Sequence, residues 1–161
     1  MNASTFVFCG GNTVTFGDTV PTMQDKEGIV SVTWPTVTTL PTNAFRSINT
    51  LLSVHMPNVT SIGTYGFYAS PYLETVTLPK LAVVPGYTFH GCYRLKYLTL
   101  GSPGHPVTSM SGSCSSTTCQ NVTDHDVKWI IYTSDGWKLS GYPWGASTTN
   151  LPASGIEWRQ A

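Results

Sequence analysis

A pattern with a period of 22 residues runs through the middle of the chain and constrains its fold more than any other feature. Three stretches align without a gap: Ile29–Thr50, Leu51–Tyr72 and Leu73–Arg94. Their shared columns are Ile29/Leu51/Leu73, Val32/Val54/Val76, Trp34/Met56/Leu78, Pro35/Pro57/Pro79, Val37/Val59/Leu81, Leu40/Ile62/Val84 and Phe45/Phe67/Phe89. A period this strict indicates one supersecondary unit repeated along the chain.

Each unit opens with alternating apolar and polar residues, and a proline follows directly. The alternation predicts a strand, and the proline predicts that its ladder ends there. Val59 and Ile62 form a second inward pair, and we expect a short helical or irregular stretch after it. One unit cannot bury its own apolar stripe, so neighbouring units must stack. The sequence therefore predicts a right-handed, mainly β repeat solenoid with a parallel sheet on one face.

The repeat loosens toward the C-terminus. Leu95–Leu100 opens a fourth unit, and Val107–Met110 resembles Val59–Ile62 displaced by four residues, which makes the Pro103–Pro106 turn an insertion. After a polar tract, Val127–Tyr132 aligns with Leu95–Leu100 position by position, so the last unit is expanded. We expect repeats over residues 29–132 and about five strands in the sheet.

The two ends of such a stack need caps, because terminal units expose apolar surface and a sheet edge. Thr5–Phe8 and Thr13–Phe16 flank a glycine-rich connection, which predicts a β-hairpin cap over residues 1–28. Glycines, prolines and tryptophans crowd residues 133–161, which we expect to form an irregular C-terminal cap. The whole chain, residues 1–161, is expected to be a single domain.

The repeated string resembles the bacterial surface antigen (BspA-like) class of leucine-rich repeat. Leu73–Leu95 matches most closely, with Phe89-His-Gly-Cys92 on the Phe-x-Gly-Cys element of that family. Ser70 and Ile48 replace the cysteine in the two preceding units. The resemblance implies binding and adhesion by proteins on the surfaces of host-associated bacteria, some protists and bacteriophages, and it implies no shared catalytic activity.

Composition limits the classes of partner. Only 10% of residues are charged, against about 25% in average proteins, and eight basic residues balance eight acidic ones. The sequence therefore predicts no nucleic-acid binding, and it predicts no membrane insertion because no apolar run reaches about 18 residues. The first residues show no signal peptide. We expect an extracellular, cell-surface or virion location, reached after signal removal or by lysis, with a cytosolic location as the remaining alternative.

The four cysteines do not form a disulfide framework. Cys92 lies on an inward column and is expected to be a buried free thiol. Cys114 and Cys119 lie in a Ser/Thr-rich tract, and both a disulfide between them and two free thiols remain open. His105 and His125 are too scattered to complete a zinc site. We expect no metal and no cofactor.

No catalytic motif stands out. The chain has no nucleophile elbow, zinc-protease helix motif or phosphate-binding glycine loop. Asp124-His125-Asp126 places carboxylates beside an imidazole, but neighbouring side chains of an extended segment point in different directions. We interpret these three residues as a polar turn, and the sequence predicts a protein that is not an enzyme.

The stacked strands predict ladders of outward side chains. The first is Ser31, Ser53, Thr75, Tyr97 and Trp129, the second is Thr33, His55, Thr77, Thr99 and Ile131, and a flanking one is Val30, Leu52, Glu74, Lys96 and Lys128. Aromatic and basic side chains of the kind found at binding hot spots concentrate at the C-terminal end. The candidate ligand-binding residues are His55, Thr77, Lys96, Tyr97, Lys128 and Trp129. The alternative is that Thr, Tyr and Trp occupy these ladders because they favour strands and pair well across them.

Two functions fit these predictions. The first is a non-catalytic recognition or adhesion module on a cell surface or phage particle that binds a protein or glycan through the strand ladders. On this hypothesis, replacing Tyr97 or Trp129 by alanine weakens binding without unfolding the solenoid. The alternative is a structural decoration or assembly protein of a phage particle or surface layer that packs against its own copies or virion proteins.

Overall fold

In the part of the chain that a computed structural model describes, twelve β-strands make up the regular structure. The structure describes residues 23–110, 128–134, 136 and 157–161, and the backbone of residues 5–8, 13–14 and 156. The strands are β1 (Thr5–Phe8), β2 (Thr13–Val14), β3 (Ile29–Thr33), β4 (Thr39–Leu40), β5 (Ser53–His55), β6 (Ser61–Ile62), β7 (Thr75–Leu78), β8 (Val83–Val84), β9 (Tyr97–Leu100), β10 (Ser109–Met110), β11 (Lys128–Thr133) and β12 (Ile156–Gln160).

One eight-stranded sheet has the order β12-β11-β9-β7-β5-β3-β1-β2. The run from β3 to β12 is parallel, and Val32, Val54 and Val76 stand side by side, as the 22-residue period predicts. β1 and β2 form the predicted antiparallel hairpin, and β1 pairs antiparallel with β3. The parallel run has six strands, one more than expected, because β12 continues the sheet where the sequence predicted only irregular structure.

A second row of short strands follows the first in each unit. β4 pairs with β6, and β8 pairs with β10, all parallel. Their inward side chains Leu40, Ile62, Val84 and Met110 are buried. The pairing of Met110 with Val84 confirms the displacement by an insertion, and Ser102 and His105 close that turn with two backbone hydrogen bonds of 3.0 and 2.9 Å.

Turns, not helices, complete the units in the described part of the chain. Two positions of each turn have left-handed backbone: φ is 60°, 62° and 60° at Asn43, Tyr65 and Tyr87, with a second such position four residues later. The backbone N–H of Phe45 donates to the Gly66 carbonyl at 2.8 Å, and that of Phe67 donates to the Thr88 carbonyl at 2.9 Å. Hydrogen bonds between units thus replace those that a helix would make within one.

The core is one continuous column of side chains along the solenoid. Phe45, Phe67 and Phe89 stack with ring centroids 5.6 and 5.7 Å apart, and all three are buried. Beside them, the buried Ser70 hydroxyl donates to the Phe45 carbonyl at 3.0 Å. In the next unit the thiol of Cys92 donates to the Phe67 carbonyl at 3.1 Å. Cys92 is a buried free thiol, as predicted.

Candidate functional site

The outward face of the large sheet carries the predicted ladders as far as β9. Ser31, Ser53, Thr75 and Tyr97 are neighbours in register, and so are Thr33, His55, Thr77 and Thr99. Successive side chains of a strand point to opposite faces, so Val32, Val54, Val76 and Leu98 between them are buried. From β3 to β9 the face is therefore made mainly of hydroxyl side chains, with the imidazole of His55 among them and the aromatic ring of Tyr97 on β9.

The predicted position of Trp129 on this face is wrong. Lys128 pairs with Tyr97 and Trp129 pairs with Leu98, one residue away from the alignment that the sequence suggested. Trp129 is 0% exposed, and its indole N–H donates to the Leu95 carbonyl at 3.1 Å. Ile131, also predicted outward, is buried.

A one-residue shift of register explains both errors, because it moves every side chain of a strand to the other face. The sequence alignment matched Lys128-Trp129 to Lys96-Tyr97 by similarity of residue type. The observed register instead buries the large indole and Ile131. It therefore removes more apolar surface from water than a register that exposes both side chains. Lys128, Ile130 and Tyr132 then lie on the outward positions of β11.

Aromatic and basic side chains still lie together at the C-terminal end of the face, although Trp129 is not one of them. Tyr97 is 47% exposed and lies directly beside the exposed Lys128 in the adjacent strand. Lys96 precedes Tyr97, and its carbonyl accepts a 2.8 Å hydrogen bond from the backbone of Lys128. We call Lys96, Tyr97 and Lys128 the Tyr97 patch. The other two candidates lie on the same face at a distance from it, with Thr77 one strand and His55 two strands away.

Charges at the far edge of the sheet are paired. The Arg159 guanidinium donates to both carboxylate oxygens of Glu157, at 2.8 and 2.9 Å, and to the Tyr132 hydroxyl at 3.3 Å. The hydrogen bond from Arg159 lowers the pKa of Glu157. This ion pair adds no net charge next to the Tyr97 patch, and the positive charge of Lys128 also helps to lower the pKa of Glu157.

A second group of candidate functional side chains was not predicted from the sequence. Tyr65 stacks on Tyr87 with centroids 5.4 Å apart, and Tyr68 stacks on His90 at 4.9 Å. The Arg46 guanidinium lies 5.1 Å from the centroid of the Tyr68 ring. We call these five residues the turn-side cluster. They occupy two columns of the 22-residue repeat, Asn43/Tyr65/Tyr87 and Arg46/Tyr68/His90, in the stretch that was expected to be short and helical or irregular.

Other chemistry in the described residues is sparse. They hold no group of three His, Cys, Asp or Glu side chains able to bind a metal ion. They also hold no apolar helix of membrane-spanning length. His105 is exposed in the inserted turn. Cys114 and Cys119, for which a disulfide and two free thiols both remain open, lie outside the described residues, as does the segment Asp124–Asp126.

Comparison with known proteins identifies the repeat. The family model for the BspA type leucine rich repeat region matches residues 22–129, with six copies. A search of curated proteins and a search of solved structures each found no match.

Proposed function

This chain belongs to the BspA-type leucine-rich repeat family, and on that premise we propose that it recognises a partner protein through the outward face of its sheet, displayed on a cell surface or phage particle. Repeats of this family form protein-interaction and adhesion modules, are typically not catalytic and are typically surface-associated. The resemblance stated from the sequence is thereby confirmed at the level of the family.

The observation that carries the proposal is the Tyr97 patch. A tyrosine side chain offers large contact area at low cost in conformational entropy, and tyrosine is enriched at interface hot spots. Two lysine side chains flank Tyr97 at the sheet surface. The hydroxyl ladders that surround the patch cost less to desolvate than charged side chains would. A plane of mainly uncharged polar side chains with the Tyr97 patch toward its C-terminal end suits a protein partner.

Binding to an array of extracellular proteins and surface glycans tests the proposal. We expect wild-type protein to bind at least one arrayed protein, and Tyr97→Ser and Lys128→Ser each to weaken that binding about tenfold or more, since a hot-spot side chain contributes that much. Tyr93→Ser is the matched control, because Tyr93 is 46% exposed but lies in a turn outside the sheet.

Three outcomes of the array would contradict the proposal. No binding to any arrayed protein would do so, as would binding that both sheet variants retain. Binding to glycans alone would replace the protein partner with a carbohydrate one.

A further inference from the structure

Two tyrosines of the turn-side cluster adopt a backbone conformation that disfavours them. Tyr65 and Tyr87 have φ of 62° and 60°, and Asn43 occupies the same position of the preceding unit with φ of 60°. Asparagine tolerates left-handed backbone, whereas a bulky residue there is an outlier. One unit forms this turn with asparagine, the residue better suited to the conformation. The fold therefore does not require tyrosine at the same position of the other two units. Strained residues of this kind concentrate at functional sites.

The rings of the cluster form a compact, preformed surface. Tyr65 and Tyr87 lie nearly parallel, with 15° between their planes, and Tyr68 and His90 lie at 4°. Edge contacts join the two stacks, with Tyr65 and Tyr68 centroids 5.4 Å apart and Tyr87 and His90 centroids 5.7 Å apart. Tyr87 is nevertheless 46% exposed. A ligand would meet rings whose positions are already fixed, which reduces the entropy lost on binding.

Arg46 supplies the one permanent positive charge of the cluster. The charge of its other basic residue, His90, depends on protonation. The guanidinium lies 5.1 Å from the Tyr68 centroid and 5.7 Å from the Tyr65 centroid, and donates a long hydrogen bond of 3.5 Å to Asn43. It forms no ion pair with any residue that the structure describes. A stacked guanidinium keeps N–H donors along its edge, and these match the two oxygens of a carboxylate.

His90 adds a neutral polar group to the same surface. Burial lowers its pKa. Its Nδ1 atom is buried and has no hydrogen-bond partner among the described residues. The cluster therefore combines one fixed cation with tyrosine hydroxyl groups and a neutral imidazole ring.

We propose that the turn-side cluster is a second binding site, which takes an extended, carboxylate-bearing segment of a partner protein. The carboxylate of an Asp or Glu pairs with Arg46, and an adjacent apolar side chain packs on the edges of the Tyr65 and Tyr87 rings. A protein segment fits better than a sugar, because Arg46 matches a carboxylate, and ring stacking on one side and Arg46 on the other already cover both faces of Tyr65 and Tyr68. The site lies in the turns and does not use the Tyr97 patch.

Binding of short extended peptides, measured by fluorescence anisotropy, tests the proposal. The probes carry Glu or Asp next to Leu or Phe, and the reference peptides carry Gln or Asn in place of the acids. We expect the acidic set to bind, and Arg46→Gln to weaken that binding about tenfold, the loss expected for a charge-assisted pair. Tyr65→Asn and Tyr87→Asn are expected to weaken it similarly while the melting temperature stays the same or rises, because asparagine suits the left-handed backbone.

A matched control exists on another part of the surface. Tyr72 is 45% exposed and lies under the Arg94 guanidinium at 4.9 Å, so it forms an exposed Tyr–Arg stack outside the cluster. Tyr72→Asn and Tyr97→Ser are both expected to leave peptide binding unchanged. Because Tyr97→Ser removes the sheet-face site alone, failure of the proposed function and failure of this second site give different results.

Several results would overturn the second site. Equal binding of acidic and amide peptides would remove the role of the carboxylate. Full binding by Arg46→Gln would place the peptide elsewhere. Binding of a uronic acid oligosaccharide with no binding of any peptide would make the site a carbohydrate site. A large drop in melting temperature for both asparagine variants would show that the tyrosines serve the fold.

Discussion

Replacing Phe67 by alanine is expected to lower the free energy of unfolding by about 3–5 kcal/mol, the cost of truncating a fully buried aromatic side chain. Phe67 is 0% exposed and stacks on Phe45 on one side and Phe89 on the other. The cavity would therefore interrupt the core column between two repeats. Denaturant unfolding followed by circular dichroism measures the change.

Two variants serve as comparisons for Phe67→Ala. Phe67→Leu keeps most of the buried volume and is expected to cost clearly less. Tyr93→Ala removes an exposed ring and is expected to stay within about 0.5 kcal/mol of wild type. If Phe67→Ala were no more harmful than Tyr93→Ala, the stacked phenylalanine core would be refuted.

Trp129→Ala is expected to destabilise the protein by a similar amount, about 3–5 kcal/mol. The indole is fully buried between the last strands of the sheet, and its removal leaves the Leu95 carbonyl without the donor that lies 3.1 Å away. The sequence had instead assigned Trp129 to a binding surface and predicted that its replacement weakens binding without unfolding the solenoid. Thermal and denaturant unfolding measure the effect.

Tyr97→Ala is the matched control for Trp129→Ala. The two residues lie in adjacent strands, yet Tyr97 is 47% exposed and Trp129 is 0% exposed. The tyrosine variant is expected to stay within about 0.5 kcal/mol of wild type. Equal stability of the two variants would mean that β11 pairs in the register suggested by sequence similarity.

The regular part of the fold could be predicted because three units repeat without a gap. Each apolar column, such as Val32, Val54 and Val76, fixes which face of its strand is buried, and a fixed period fixes the register between strands. The Ser102–His105 turn was predictable for the same reason, since the displaced Val107 and Met110 still match an inward pair.

Prediction from sequence failed where the period no longer applies. The unit before β11 is longer, so residue similarity alone set the register and placed Trp129 on the wrong face. β12 was missed because its short alternation of Ile156, Glu157 and Trp158 follows a segment rich in glycine and proline, and an isolated strand signal depends on a sheet edge to pair with.

The sequence predicted one of the two candidate sites and not the other. The ladder that ends at Tyr97 follows directly from strand alternation, and the structure confirms its register up to that residue. The turn-side cluster depends on left-handed backbone at Tyr65 and Tyr87 and on ring stacking between units. Its columns were visible in the sequence, but apolar periodicity gives no sign of polar and aromatic side chains that gather outside the core.

Hydroxyl-radical footprinting of the complex with a protein partner recovered from the array tests most directly whether the outward face of the sheet is the recognition surface. Partner binding is expected to lower the oxidation of Tyr97 and His55, which are exposed on that face, and to leave the oxidation of Tyr72 and Tyr93, which are exposed elsewhere, unchanged. Unchanged oxidation of Tyr97 together with protection of Tyr72 or Tyr93 would contradict this assignment of the recognition surface.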